Sequence, residues 1–206
     1  MMTMKRWCES MRLIILGGSG FVGQAIANAA SQRQIAVISI SRGGKPKHAS
    51  CISKKITWVS ADVFQPESWA KYVRKGDVVI DAIGIFFQQS RKGITYKRMH
   101  YEAANLSAQI AKDQDASCFI YISAAHSIPI FKDYFVWKQR AEKSIQEIMG
   151  NVLIFKPSLL YSQHHQYWMA KGILMAKKVP VLRFFFKKIN PMEINEFANS
   201  LLTKIS

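Results

Sequence analysis

Three side chains in the second half of the sequence have types and spacings suited to proton transfer: Ser123, Tyr134 and Lys138. A tyrosine and a lysine at i and i+4 share one face of a helix, where the ammonium is expected to lower the phenol's pKa and make it a usable acid or base. Ser123 follows the apolar run Phe119-Ile120-Tyr121-Ile122, so it stands at a strand end, set to hydrogen-bond the reacting oxygen while Tyr134 passes a proton. A half-buried tyrosine on any amphipathic helix gives the same Tyr/Lys spacing. The serine one element earlier is what makes a constellation of it.

Such a set needs a scaffold, and the stretch Arg12 to Ile26 supplies its first unit. Leu13-Ile14-Ile15-Leu16 reads as a strand buried on both faces, and Phe21 opens a helix. Between them, Gly17, Gly20 and Gly23 satisfy G-x-x-G-x-x-G, while Gly18, Gly20 and Gly23 satisfy the dinucleotide spacing G-x-G-x-x-G. The first glycines permit the tight turn, Gly20 lets a pyrophosphate approach the backbone, and Gly23 lets helix and strand pack closely. N–H groups at the helix start then face the phosphates. An empty structural turn is the alternative to nucleotide binding.

The rest of the chain alternates in the same way. Strands are expected at Ile35–Ile40, Ile56–Ser60, Val78–Gly84, Phe119–Ser123 and Val152–Phe155. Helices are expected at Phe21–Ser31, Pro66–Val73, Met99–Lys112 and Tyr134–Met149, the last stopped by Gly150-Asn151. The fold class is therefore α/β: right-handed βαβ units building a doubly wound parallel sheet. Residues 11–162 form this domain, 1–10 a disordered leader or start artefact, and 163–206 a small cap ending in a docked helix, Pro191–Leu202.

Charge selects the cofactor. An acid near the end of the second strand would bind a free ribose 2′-hydroxyl. None occurs from Ile35 to Ala61, whereas Ser41, Arg42, Lys45 and Lys47 place hydroxyl and positive groups where a 2′-phosphate would sit. NADP(H) is the expected cofactor, with NAD(H) as the alternative; a solvated basic loop is the bland reading. Asp62 is placed to accept a hydrogen bond from the adenine amine, and Gly84 to let backbone approach the cofactor.

The whole chain of 206 residues carries 29 lysines and arginines against 13 acids, a net charge of +16. That balance favours anionic partners, but the basic residues are scattered and no nucleic-acid motif occurs, so no specific nucleic-acid partner is expected. Cys8, Cys51 and Cys118 cannot all pair and lack metal spacing, as do His126, His164 and His165; no metal site is expected. The leader has no apolar core of a secretory signal, and a reducing, cytoplasmic setting fits.

The chain resembles the short-chain dehydrogenase/reductase superfamily in its extended or atypical branch, over about Met11 to Ser162. The resemblance is carried by Gly17-Gly18-Ser19-Gly20-Phe21-Val22-Gly23, Ala61-Asp62-Val63, Ser123, Tyr134-Phe135-Val136-Trp137-Lys138 and Lys156-Pro157-Ser158-Leu159-Leu160-Tyr161. It implies Ser123, Tyr134 and Lys138 as the catalytic set, with Lys138 also holding the nicotinamide ribose. It adds Ser19, Phe21, Val22, Val63, Ala82, Ile83, Pro157 and Ser158 to the cofactor residues. Ser39 to Pro46 with Trp58 to Ser68 is similar to the subgroup of the nucleotide-binding accessory subunit of respiratory complex I and a fungal coenzyme Q biosynthesis protein. Asp81-Ala82-Ile83-Gly84 stands where Asn-Ala-Ala-Gly is commoner, and His100 where many relatives carry asparagine.

The function expected is an NADP(H)-dependent oxidoreductase acting on an apolar or quinone-like carbonyl compound. The alternative is a non-catalytic NADP(H)-binding module for redox sensing or assembly, which the short region after Tyr161 favours. Tyr167 to Lys188 interleaves aromatic and aliphatic residues with Lys171, Lys177, Lys178, Arg183, Lys187 and Lys188. The alternatives for this pattern are ordinary packing, the lining of an apolar pocket and a dimer contact; the expectation carried forward is peripheral attachment to the acidic inner face of a membrane, bringing a lipid-soluble substrate to the site. Met169 and Met175 are read as packing residues. The oligomeric state is not legible.

Overall fold

The computed structural model describes residues 11–46, 56–125, 132–163, 171, 175 and 190–205. The leader 1–10, Lys47, Cys51, His126, His164, His165, Met169 and all of 167–188 except Lys171 and Met175 lie outside the described residues.

The Leu-Ile-Ile-Leu run forms β1 (Arg12–Leu16) and the glycine turn leads into α1 (Phe21–Gln32). There follow β2 (Ala36–Ser41), β3 (Ile56–Ser60), a short α2 (Pro66–Trp69) continued by one 3-10 turn over Ala70–Tyr72, and β4 (Val78–Asp81). A π-helical segment, Lys97–Glu102, runs into α3 (Ala103–Asp113). Then come β5 (Cys118–Ile122), α4 (Lys132–Ile148) and β6 (Val152–Phe155). β7 (Leu160–Tyr161), β8 (Met192–Glu193) and α5 (Ile194–Ile205) complete the described chain.

Six strands make one parallel sheet in the order β3-β2-β1-β4-β5-β6. The order in which strands are added reverses beside β1, and a crevice opens there at the carboxyl ends. Alternation across the pleat sorts the core. Leu13, Ile15, Val37, Ile80 and Ile120 pack with α1 and α5 on one face, while Ile14, Leu16, Ile40, Val79, Phe119 and Tyr121 pack with α2, α3 and α4 on the other. Arg12 braces the start of β1 with a paired contact to Asp77, Nε to Oδ1 at 2.9 Å and Nη2 to Oδ2 at 2.6 Å.

Several boundaries differ from the sequence reading for local reasons. β4 ends at Asp81 rather than Gly84, because the Asp81 carboxylate accepts the Ile83 N–H at 2.8 Å and turns the chain. The expected helix from Met99 starts at Lys97 with a widened π turn, and the one over Pro66–Val73 tightens into 3-10 after Trp69. The last helix begins three positions later than expected, because Met192 and Glu193 pair in parallel with Leu160 and Tyr161 first. That pairing ties the chain after β6 to α5, which packs on α1. Arg33 also reaches it, donating from Nη2 to the Asn199 carbonyl and to Thr203 Oγ1, each at 3.1 Å.

Candidate functional site

Two adjoining cavities of about 420 and 260 Å³ lie at the carboxyl ends of the strands and share Gly20, Ala82, Ile83, Gly84 and Ile85. The larger is lined by the glycine turn, by Ser41 and Arg42 at the end of β2, by Asp62 and Val63 after β3, and by Lys92 and Arg98. The smaller holds Phe21 and Val22, then Ser123, Tyr134, Lys138, Pro157 and Ser158. Among the described residues, the cofactor and proton-transfer residues named from the sequence are thus neighbours, with three exceptions.

Gly18, Gly23 and Lys45 line neither cavity. A methyl on Gly18 would sit 2.0 Å from Ser39 Oγ, and one on Gly23 would sit 2.5 Å from the Gly17 carbonyl oxygen, so both positions serve close packing beneath the turn. Lys45 is exposed, one position past a turn in which Gly44, at φ +58°, donates its N–H to the Ser41 carbonyl at 3.1 Å. Lys92 and Arg98 supply the positive charge instead. Both come from the stretch after β4, where nothing in their spacing announced that the chain would fold back over the groove; Arg98 is held there with its guanidinium 4.4 Å from the centre of the Phe64 ring.

The groove fits a dinucleotide. Gly17 takes φ +76° to make the turn, its N–H donating to the Ile40 carbonyl at 2.9 Å, and among the described residues no side chain caps the N-terminus of α1. Nor does any acid occupy the first helical turn, which would oppose a phosphate. Asp62 is oriented by the Phe64 N–H, which it accepts at 3.0 Å, and Trp69 pins the same turn by donating to the Val63 carbonyl at 3.1 Å.

In the smaller cavity Lys138 is buried, and its Nζ donates to the Ile122 carbonyl at 2.6 Å while lying 4.6 Å from the centre of the Tyr121 ring. Burial lowers its pKa to about 8, against the opposing pull of Asp81 and Glu142. Burial likewise raises Asp81 to about 6, offset in part by the Ile83 N–H and by Lys138. Tyr134 departs from the sequence expectation: its pKa is raised to about 12, first by desolvation and then by the Tyr96 phenol. Lys138 is engaged with the strand end, so desolvation decides the phenol's state.

His100 is fully buried beside them, stacked on Tyr96 with centroids 5.7 Å apart and edge-on to Tyr134 at 4.8 Å. Its Nε2 lies 3.2 Å from the Ile85 carbonyl, and a carbonyl only accepts, so the proton sits on Nε2 and Nδ1 is the bare acceptor. Desolvation and then the charge of Lys138 push its pKa down to about 2, keeping the ring neutral. Sequence reasoning also missed Glu142. Its carboxylate accepts the Ser123 hydroxyl and contacts Lys156 Nζ at 2.6 Å. The signal was present, since Tyr134, Lys138 and Glu142 recur at four-residue intervals along one face of α4.

The doubly wound sheet, the glycine turn at its reversal point and the paired cavities define a dinucleotide-binding Rossmann domain. A family model described as NAD(P)H-binding matches residues 17–172, and the chain belongs to that family. An uncharacterized chloroplastic protein of Arabidopsis thaliana is 31% identical, the match covering 75% of this chain and 52% of that one. The chain thus spans about half the length of that relative. MIOREX complex component 2 of Saccharomyces cerevisiae is 22% identical, with 74% of each chain covered. Among solved structures, UDP-glucuronic acid 4-epimerase from Bacillus cereus in complex with NAD superposes with a TM-score of 0.71 at 14% identity, covering 95% of this chain and 73% of that one. An oxidoreductase from Lactococcus lactis gives 0.66 at 16%, covering 95% and 84%. Among the described residues no helix is long and apolar enough to cross a membrane and no group of side chains could hold a metal.

Proposed function

We propose that the protein is an NADP(H)-dependent oxidoreductase acting on an apolar or quinone-like carbonyl compound. The observation that carries the cofactor half is the lining of the larger cavity, which includes Arg42 after β2, Asp62 after β3, and Lys92 and Arg98 from the stretch after β4. Arg42 and Arg98 would hold a 2′-phosphate, the glycine turn the pyrophosphate, and Asp62 the adenine side; the bound nicotinamide would supply hydride. Lys138 would hold ribose hydroxyls. Tyr134, protonated at neutral pH because its pKa is about 12, donates its proton to a carbonyl oxygen in the smaller cavity rather than removing one.

Calorimetric titration tests the preference. Charge-assisted contacts to the extra phosphate contribute roughly 1.5–3 kcal/mol, so NADPH is expected to bind about tenfold or more tighter than NADH. Arg42→Ala and Arg98→Ala should each narrow that gap. Equal affinities for the two cofactors, or an unchanged gap in both variants, would overturn the reading. A second reading, cofactor binding without turnover, draws on the Tyr134 phenol, which burial makes a weak acid. Oxidation of NADPH against a panel of quinones and aldehydes separates the two.

A further inference from the structure

Resting on that reading, we infer that Ser123 faces the smaller cavity as a hydrogen-bond acceptor, so that the site selects carbonyl compounds that also carry a hydroxyl group, and that Glu142 is the positioning residue that sets this polarity. A serine hydroxyl has one proton and two lone pairs. In this chain the proton is already committed: Ser123 Oγ donates it to Glu142 Oε1 behind the cavity wall. Glu142 in turn is paired through Oε2 with Lys156 Nζ at 2.6 Å, which leaves it a carboxylate that can only accept. Ser123 is 4% exposed, its backbone N–H is bound to the Phe155 carbonyl at 2.7 Å, and it lines the 260 Å³ cavity while Glu142 does not. What the serine presents to a ligand is therefore lone pairs.

The same cavity contains Tyr134, whose pKa of about 12 keeps its phenolic proton available. The two groups are complementary in sense: Tyr134 gives a proton to a carbonyl oxygen, and Ser123 receives one from a hydroxyl. A simple ketone or quinone would satisfy only the first. A hydroxy-substituted carbonyl satisfies both, and a ligand with an ether oxygen at that place sets lone pair against lone pair.

Glu142→Gln reverses the serine without emptying the space. The Lys156 ammonium requires an oxygen opposite it, so the new amide turns Oε1 to Lys156 and Nε2 to Ser123, which then accepts from the amide and turns its own proton into the cavity. The test uses α-hydroxyacetophenone and α-methoxyacetophenone as probes, measured by ligand-observed NMR with the oxidised cofactor present so that neither ketone is reduced. Wild type should favour the hydroxy probe by about fivefold or more, the affinity equivalent of one net hydrogen bond. In Glu142→Gln the ratio should fall to about one or invert, with NADPH affinity within about twofold of wild type. Ser123→Ala, a smaller change that keeps Glu142 and Lys156, should also abolish the preference. No hydroxyl preference in wild type, no binding of either probe, or a preference that survives both substitutions overturns the inference. NADPH titration of the same samples tells the two failures apart: intact cofactor binding without hydroxyl selection refutes only Ser123's role, and lost cofactor binding in wild type refutes the oxidoreductase reading itself.

Discussion

Tyr134 and Asp81 are a phenol and a carboxyl that burial drives toward their neutral forms, and each leads to a measurable outcome. Tyr134→Phe removes the proton donor but keeps the ring that packs against His100 and Phe86, so cofactor binding should persist while turnover with an accepted carbonyl falls by roughly 10²–10⁴. Fluorescence titration and steady-state kinetics on one preparation check both halves. Asp81 has a folded pKa raised to about 6. The native state therefore binds this proton more tightly than the unfolded chain does, and the stability it contributes at low pH is lost as pH rises from the ordinary carboxylate range through about 6. The slope has a ceiling of about 1.4 kcal/mol per pH unit for one proton. Asp81→Asn should lack this slope, so that wild-type stability measured relative to the variant by denaturant unfolding declines across the same window and levels off above it.

At the scale of elements, the turn between β1 and α1 divides its glycines between packing and binding. Alanine at Gly23 would drive a methyl to 2.5 Å from the Gly17 oxygen and 2.6 Å from the Gly18 Cα, both backbone, and is expected to cost about 1–3 kcal/mol. Alanine at Gly20 meets only the Gly17 oxygen at 3.1 Å, yet its methyl stands at the wall of both cavities. Thermal unfolding and NADPH titration should therefore separate them: Gly23→Ala lowers the melting temperature more, and Gly20→Ala loses more affinity for its loss of stability. This turn was legible because glycine spacing, a buried apolar run and a helix start are all local. The same holds for Ser123 at its strand end and for the Tyr134, Lys138 face of α4. Lys92 and Arg98 were not legible, because they reach the groove through a fold-back whose course depends on tertiary contacts such as Arg98 on Phe64. The protonation state of Tyr134 also escaped the sequence: spacing puts an ammonium one turn away, but whether it or desolvation prevails depends on where Nζ finds an acceptor, here the Ile122 carbonyl.

Across the whole molecule, the sheet, α1 and α5 form a frame that closes on itself, with Phe197, Ala198, Leu201 and Leu202 of α5 buried in the core face shared with α1. The pairing of Leu160 with Met192 and of Tyr161 with Glu193 sets the departure and return points of the intervening chain side by side. The ladder thus brackets residues 162–191 at their two ends. Loop-closure entropy changes by only about 0.6 kcal/mol for each doubling of length, so a change of length alone is expected to cost the frame little. We expect a chain in which residues 164–189 are replaced by a shorter glycine-serine linker to unfold cooperatively and still bind NADPH, while its selectivity among carbonyl compounds changes; loss of NADPH binding would show that the bracketed sequence belongs to the frame. The ladder is thus a joint at which segments of different length can be tied to one cofactor groove.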